Sequence, residues 1–269
     1  MSGSEEGQAG SLAIVGSGIR PGLHLTQEAR VRVERADKVL YLLAEAAPTA
    51  WIERLNPSAE SLAPLYQPGR DYGDVYEAIV TAILSWVRRG LDVCVVTYGH
   101  PAVFDQSSHE AVRRAHTEGF QARILPGISA MDCLFVDLGV DPGEDGFQSF
   151  DASDFLVFRK VPDTCVPLIL WQISVIGDTR TTGTVNRLGL RILAERLADF
   201  YGADHEVIVY EASPFPVGRA LVERCSLKSL PESGVTGMST LYVRPRSTPT
   251  PDPVMLERLG ITSPSPPGA

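Results

Sequence analysis

Apolar residues along this chain fall into two alternating kinds of run. Ser11-Leu12-Ala13-Ile14-Val15, Val39-Leu40-Tyr41-Leu42-Leu43, Leu91 to Tyr98 and Gln121 to Leu125 are short, nearly continuous apolar blocks, the pattern of strands buried on both faces. Between them lie segments with one apolar face. Gln27 to Ala36 exposes Arg30, Arg32, Glu34 and Arg35, and Thr26 is placed to cap it. In Asp74 to Arg89, Val75, Ile79, Ile83 and Trp86 share a helical face that Gly90 brings to a stop. Glu110 to Glu118 is a further helix, capped by Ser107 or Ser108 and ended by Gly119. Strands alternating with helices in this way predict a parallel sheet with both faces covered.

The second half reads differently. Ser129 to Leu138 is helical in pattern, and an acidic, loop-rich stretch follows from Asp141 to Asp154. Then come a strand (Val166 to Ile173), a long helix (Val185 to Tyr201), a strand (Glu206 to Ala212), a segment near Ala220 to Leu230 and a last strand, Met238 to Val243. The expected organisation is a flexible leader over 1–10, an α/β domain over 11–126 and a second α/β domain over 127–245. Seven of the 20 prolines fall between Pro245 and Pro267, so 246–269 reads as a disordered tail in which Val254, Met255, Leu256 and Leu259 form one docking turn.

Composition narrows the partners. Of 269 residues 44% are hydrophobic, and 24 basic against 33 acidic residues leave a net charge of -9, the opposite of the basic footprint that phosphate backbones require. No nucleic-acid partner is expected. Nor is a membrane one: Met1 to Gly10 lacks an apolar core, and no stretch approaches the ~20 apolar residues that span a bilayer. Cys94, Cys133, Cys165 and Cys225 stand singly, and His24, His100, His109, His116 and His205 have no metal spacing, so neither a disulfide framework nor a metal site is expected. A cytoplasmic enzyme is the resulting expectation.

In open parallel sheets ligands sit beyond the carboxyl ends of the strands, which singles out three loops. Gly16-Ser17-Gly18-Ile19-Arg20-Pro21-Gly22 is no dinucleotide fingerprint, because Pro21-Gly22 prolongs the loop where a helix would have to begin. Tyr98-Gly99-His100-Pro101 couples a glycine that admits close approach to a proline that forces a turn. Pro126-Gly127 repeats the device, with Ser129-Ala130 opening a helix. Such loops suit adenine, ribose and an amino-acid moiety better than a phosphate chain; the alternative is that they are tight turns alone.

These residues carry a resemblance. Val15-Gly16-Ser17-Gly18, Leu25-Thr26, Ala36-Asp37, Val39-Leu40-Tyr41, Tyr98-Gly99-His100-Pro101 and Leu125-Pro126-Gly127-Ile128-Ser129-Ala130 resemble the signature segments of the tetrapyrrole methylase family over about Ser11 to Pro245. The family implies a parallel-sheet N-terminal domain, a mixed-sheet C-terminal domain, S-adenosylmethionine in the cleft between them with S-adenosylhomocysteine as product, and a homodimer. Most tetrapyrrole-acting members have Asp where this chain has His100. Gly-His-Pro with Val103-Phe104, together with Asp132-Cys133-Leu134-Phe135, Asp137-Leu138, Ala152 to Leu156, Tyr201-Gly202-Ala203 and Met238 to Tyr242, is instead similar to the borosin-type peptide-backbone N-methyltransferases.

By that resemblance Tyr98, His100, Val103, Phe104, Ser129, Ala130, Gln172, Tyr210, Ala212, Ser239 and Thr240 contact the cofactor. Gln172, at the end of an apolar run, needs a partner for its amide: a cofactor or a structural hydrogen bond. Tyr66 and Tyr76 align with active-site tyrosines of the subfamily. A gap-free alignment puts Tyr72 at the family's arginine position and Arg70 two residues early. An amide nitrogen is a poor nucleophile, its lone pair being delocalised into the carbonyl. A tyrosinate base activated by a nearby cation, and an Arg on the imidate oxygen, would supply the chemistry. Fused relatives carry their substrate in a C-terminal extension, whereas here the expectation is a separate precursor peptide supplied in trans; the acidic loop Gly143 to Asp154 reads as a solvated linker, with a part in binding that peptide as the alternative. The other readings are C-methylation of a corrinoid or porphyrin precursor, and a catalytically inactive homologue that binds cofactor or peptide.

Overall fold

The computed structural model describes residues 10–43, 49–215 and 217–262; the expected leader, except for Gly10, and the end of the Pro-rich tail lie outside the described residues. The chain divides into two compact units. Unit 1 comprises Met1–Cys133 with Thr179–Thr182 and Ala212–Arg219, and unit 2 comprises Leu134–Asp178, Gly183–Glu211 and Ala220–Ala269.

In unit 1, β1 (Ser11–Gly16), β2 (Lys38–Leu42), β3 (Glu60–Ser61), β4 (Asp92–Thr97) and β5 (Gln121–Ile124) form one sheet in the order β3-β2-β4-β1-β5. Every pairing in it is parallel. Because successive side chains point to opposite faces, β1 sends Leu12 and Ile14 to one side and Val15 to the other. The first side packs on α3 (Tyr72–Val87) through Val75, Ile79 and Ile83, and on α4 (Gln106–Thr117) through Ala111 and Ala115. The second packs on α1 (Gln27–Arg35) through Ala29 and Val33, and on α2 (Ala50–Leu55) through Ile52. The parallel sheet covered on both faces is therefore present, and Thr26 does cap α1, accepting from Ala29 N.

Two helix starts differ from the sequence expectation, for the same reason. Helix α4 begins at Gln106 because Asp105, not a serine, caps it: Oδ1 accepts from Ser108 N at 3.0 Å, and both serine hydroxyls donate to the carboxylate. Helix α3 begins at Tyr72 because Asp71 Oδ1 accepts from Gly73 N at 2.8 Å. A carboxylate both accepts the orphan N–H groups and complements the positive end of the helix.

After α5 (Ala130–Leu138), within which the division falls, unit 2 contains α6 (Pro142–Asp145), β6 (Gln148–Asp151), α7 (Ala152–Val157), β7 (Leu168–Trp171), α8 (Arg187–Tyr201), β8 (Glu206–Glu211), β9 (Leu221–Ser226) and β10 (Thr240–Val243). The sheet order is β6-β7-β10-β8-β9, with β6 parallel to β7 and the other pairings antiparallel. The acidic stretch expected to be loop is thus built into the sheet edge and the helix behind it. Asp151, whose Oδ1 accepts from Ser153 N and Asp154 N, caps α7. Leu168, Leu170, Leu193, Leu197, Val207, Val209, Leu241 and Val243 are fully buried in one core between sheet and α8. Within the tail, Pro253–Leu259 forms α9, with Asp252 as its N-cap and Gly260 in the left-handed region at its end.

Candidate active site

The three strand-end loops of unit 1 converge. Gly18 and Gly99 exchange both backbone hydrogen bonds at 3.2 Å, Ser17 N donates to Thr97 O, and Tyr98 N donates to Leu42 O. A Cβ on Gly16 would lie 2.1 Å from Gly99 O and 2.9 Å from Pro101 Cδ, and one on Gly127 would lie 3.2 Å from Gly99 O. Glycine at 16 is therefore a packing requirement, and the loop after β5 rests on the loops after β1 and β4. His100 Nδ1 accepts from Ala102 N at 3.1 Å, which in a neutral imidazole leaves the proton on Nε2. Phe104 follows in the left-handed region (φ 53°) with its ring 47% exposed. Strain of this kind persists where surrounding structure enforces it.

Ser129 is held as tightly. Its N–H and its hydroxyl both donate to Asp132 Oδ2, at 2.6 and 2.8 Å, and Asp132 N returns a bond to Ser129 Oγ. This reciprocal pair opens α5, and Ala130 is the first helical residue. At the end of β4, Thr97 Oγ1 is buried with no hydrogen-bond partner among the described residues.

Tyr66, Arg70, Tyr72 and Tyr76 lie on the turn before α3 and its first two turns. Tyr72 and Tyr76, one helical turn apart, have ring centroids separated by 6.1 Å. The Tyr66 phenol is pushed above the ordinary tyrosine range, chiefly by burial of the hydroxyl, then by Tyr76, Asp105 and Tyr72. The residue as a whole is 37% exposed. No cation is among those causes, and each of them favours the protonated phenol. The Arg70 guanidinium reaches back over its own turn, Nη1 donating to Leu65 O and Nη2 to Asp74 O, each at 3.3 Å.

In unit 2, Tyr210 and Thr240 are direct partners across β8 and β10. Leu241 pairs with Leu170, and extending that register brings Gln172 level with Ser239. Tyr210, Ser239, Thr240 and Gln172 thus share one end of three neighbouring strands. Ser239 Oγ donates to Glu211 Oε1 at 2.5 Å and accepts from Thr236 N. Gln172 is exposed and left-handed (φ 55°), so its amide is open to a ligand or to solvent. Ala212 follows β8 and groups with unit 1. Asp105 and Glu211 do not stand out in the sequence, and Asp132 enters there only as part of the resemblance. Of these, Asp105 was findable as a carboxylate ahead of two serines and a polar helix.

Among the described residues no group of His, Cys, Asp and Glu is arranged to hold a metal, and no helix is long and apolar enough to cross a membrane.

The sheet topology and the loop signatures define a class, and the comparisons agree on it. Residues 11–230 match the family described as tetrapyrrole (corrin/porphyrin) methylases. The chain belongs to that family. It is 38% identical, over 96% of its length, to the methyltransferase/ribosomally synthesized cyclic peptide gymnopeptides precursor of Gymnopus fusipes, and covers 63% of that protein. It is 37% identical, over 92% of its length, to the corresponding omphalotin A precursor of Omphalotus olearius, covering 60% of it. The chain therefore spans about three fifths of the length of these curated relatives. Among solved structures, the uroporphyrin-III-C-methyltransferase of Thermus thermophilus superposes with a TM-score of 0.64 at 19% identity, over 93% of this chain and 98% of that one. The cobalamin biosynthetic enzyme cobalt precorrin-4 methyltransferase gives 0.63 at 17%, over 87% and 94%. At such identities these two establish the fold.

Proposed function

We propose that this chain is an S-adenosylmethionine-dependent methyltransferase that N-methylates backbone amides of a precursor peptide. The observation that carries the reading is the identity of 37–38%, across nearly the whole chain, to proteins named as methyltransferase and cyclic-peptide precursor in one. The tyrosine cluster beside the β4 loop supports it.

The residues present fit the cofactor. In unit 1, Tyr98, His100, Phe104 and Ser129 offer backbone groups, a hydroxyl and ring faces, without a lysine or arginine. That set suits a sulfonium cation, which aromatic faces attract and fixed cations would repel. The unpartnered Thr97 Oγ1 adds a polar atom that a ligand can satisfy. When bound, S-adenosylmethionine supplies an electrophilic methyl group. The chain's own contribution is to hold the acceptor amide. Tyr66, kept protonated, donates its hydroxyl hydrogen bond to the amide oxygen as negative charge develops there. By the resemblance, Tyr76 takes the amide proton, as a tyrosinate that becomes a neutral phenol while the methyl–sulfur bond breaks and the methyl–nitrogen bond forms. Arg70 orders the turn through Leu65 O and Asp74 O.

A homodimer in a reducing cytoplasm belongs to the same reading. Four free cysteines suit that setting, and Leu188 and Ile192 of α8 with Val157 and Phe158 provide exposed apolar surface. The test incubates the protein with S-adenosylmethionine and synthetic peptides copied from the gymnopeptide and omphalotin A precursors, and seeks methyl-sized mass increments on backbone amides by fragmentation. Increments confined to a corrinoid or porphyrin precursor in a parallel incubation would replace the peptide reading by C-methylation. Cofactor binding without turnover in either would leave a binding homologue.

A further inference from the structure

We propose that Thr181 is a positioning residue for methyl transfer: from the strap Thr179–Thr182 it holds the turn that carries Tyr66, Arg70 and Tyr72. The inference rests on the reading above that these residues surround the acceptor amide.

The strap leaves unit 2 after Asp178, contributes four residues to unit 1 and returns at Gly183. Gly177 (φ 76°) and Gly183 (φ 67°) bracket it in conformations that side chains resist. Its pairing with the turn is dense. Gly69 N donates to Thr181 O at 2.8 Å, Tyr72 N to Thr179 O at 3.0 Å, and Thr181 N to Arg70 O at 3.0 Å. The Thr181 hydroxyl donates to Gln67 O at 2.6 Å and accepts from Arg70 N at 3.2 Å. Arg70 is thus pinned at both its N–H and its carbonyl by one residue, while its side chain folds back onto Leu65 and Asp74.

The turn has little else to define it. Tyr66, Gln67, Pro68 and Gly69 are exposed, and from Tyr66 to Arg70 no residue belongs to an apolar core. Beyond its own backbone bonds, Gln67 N to Leu65 O and Arg70 N to Gln67 O at 3.2 Å each, the turn is held by hydrogen bonds to the strap, and half-buried Thr181, itself outside the cores, supplies five of them. Valine keeps the volume and the backbone bonds of threonine but can neither donate to Gln67 nor accept from Arg70. Serine can do both.

The test compares the full-length protein with Thr181→Val and Thr181→Ser in two measurements. Amide hydrogen exchange is expected to show Gly69, Arg70 and Tyr72 exchanging faster in Thr181→Val than in the wild type, with protection in β1 and β4 unchanged and with Thr181→Ser restoring it. In the methylation assay, Thr181→Val is expected to lower kcat by about tenfold or more, as small misplacements of reacting groups do, with S-adenosylmethionine affinity within about twofold. Thr181→Ser is expected to return kcat close to the wild type. Unchanged exchange at the turn overturns the strap's role whatever the activity. Wild-type kcat in Thr181→Val, with the turn released, overturns the positioning of catalysis. A wild type inert on every peptide, but with exchange altered as expected, sinks the peptide reading and also the catalytic half of this proposal, leaving the strap as a structural clamp.

Discussion

The buried Tyr210 hydroxyl donates to the Asp137 carboxylate, Oη to Oδ2 at 2.7 Å, tying strand β8 to helix α5. A phenol so placed loses a charge-assisted bond when the carboxylate is removed. Asp137→Ala is expected to cost about 1–3 kcal/mol of stability, and Asp137→Asn, which keeps an acceptor oxygen, appreciably less. Urea unfolding measures both; equal midpoints for the two variants would show that the bond does not support β8.

Gly16 tests the convergence of the loops. A methyl group there meets Gly99 O and Pro101 Cδ, and neither is the end of a flexible side chain. Gly16→Ala is expected to destabilise the protein by about 1–3 kcal/mol, as overpacking does, and to weaken S-adenosylmethionine binding by about tenfold or more, read by calorimetry. Binding at wild-type strength would mean that the loops after β1 and β4 move without consequence for the cofactor.

The tyrosines separate by proton rather than by position. Tyr66 titrates above the ordinary tyrosine range, so between pH 6 and 9 its charge does not change. Tyr66→Phe is expected to lower kcat while leaving the shape of the pH–rate profile intact over that interval. Tyr76→Phe is expected to abolish turnover and to spare cofactor binding. A limb of the profile that disappears in Tyr66→Phe would return the base role to Tyr66.

Acid should loosen α3 from α4. Glu110 accepts from Arg113 and Arg114, which hold its carboxyl down at about 2, and Arg114 also grips Glu77, whose carboxyl is likewise lowered. A carboxyl lowered in the folded state binds its proton later there than in the unfolded chain. Its contribution is complete above the unfolded value of about 4.3 and disappears as pH falls toward the folded one. The stability gap between wild type and Glu77→Gln, which breaks the pair joining α3 to α4, is expected to be present at pH 6 and to close as pH falls below the unfolded value. A gap independent of pH would assign the effect to packing.

Cys94 provides a probe of the sheet itself. Burial, with Asp92 nearby, pushes its thiol up to about 12. At pH 8 it is expected to resist a thiol reagent in the native protein and to react once urea opens the β1–β4 core. Rapid native labelling would contradict a closed sheet.

What was legible in the sequence is what depends on neighbours along the chain. The buried runs at Leu12 to Val15 and Val93 to Val96, the Thr26 cap and the Gly/Pro loops at 98–101 and 126–127 each announce themselves within a few residues. The α4 cap was misread because a serine and an aspartate are equally good caps in isolation; the choice falls to Asp105 because both serine hydroxyls turn to it. The acidic stretch near Gln148 hid a strand because β6 gets its regularity from pairing with β7, not from its own pattern. The Arg70 geometry was illegible for a further reason: its partners Leu65 and Asp74 are nearby, but the residue that pins its backbone, Thr181, lies 111 positions away.

That separation has a kinetic consequence. A contact between residues so far apart forms only after the entropy of closing a long loop has been offset by other structure, a cost that grows as the logarithm of loop length. On the ribosome, the Gln67–Arg70 turn leaves the exit tunnel long before the chain that will fix it exists. In refolding, helix and sheet signals of the first parallel sheet are therefore expected to return ahead of the final geometry of this turn.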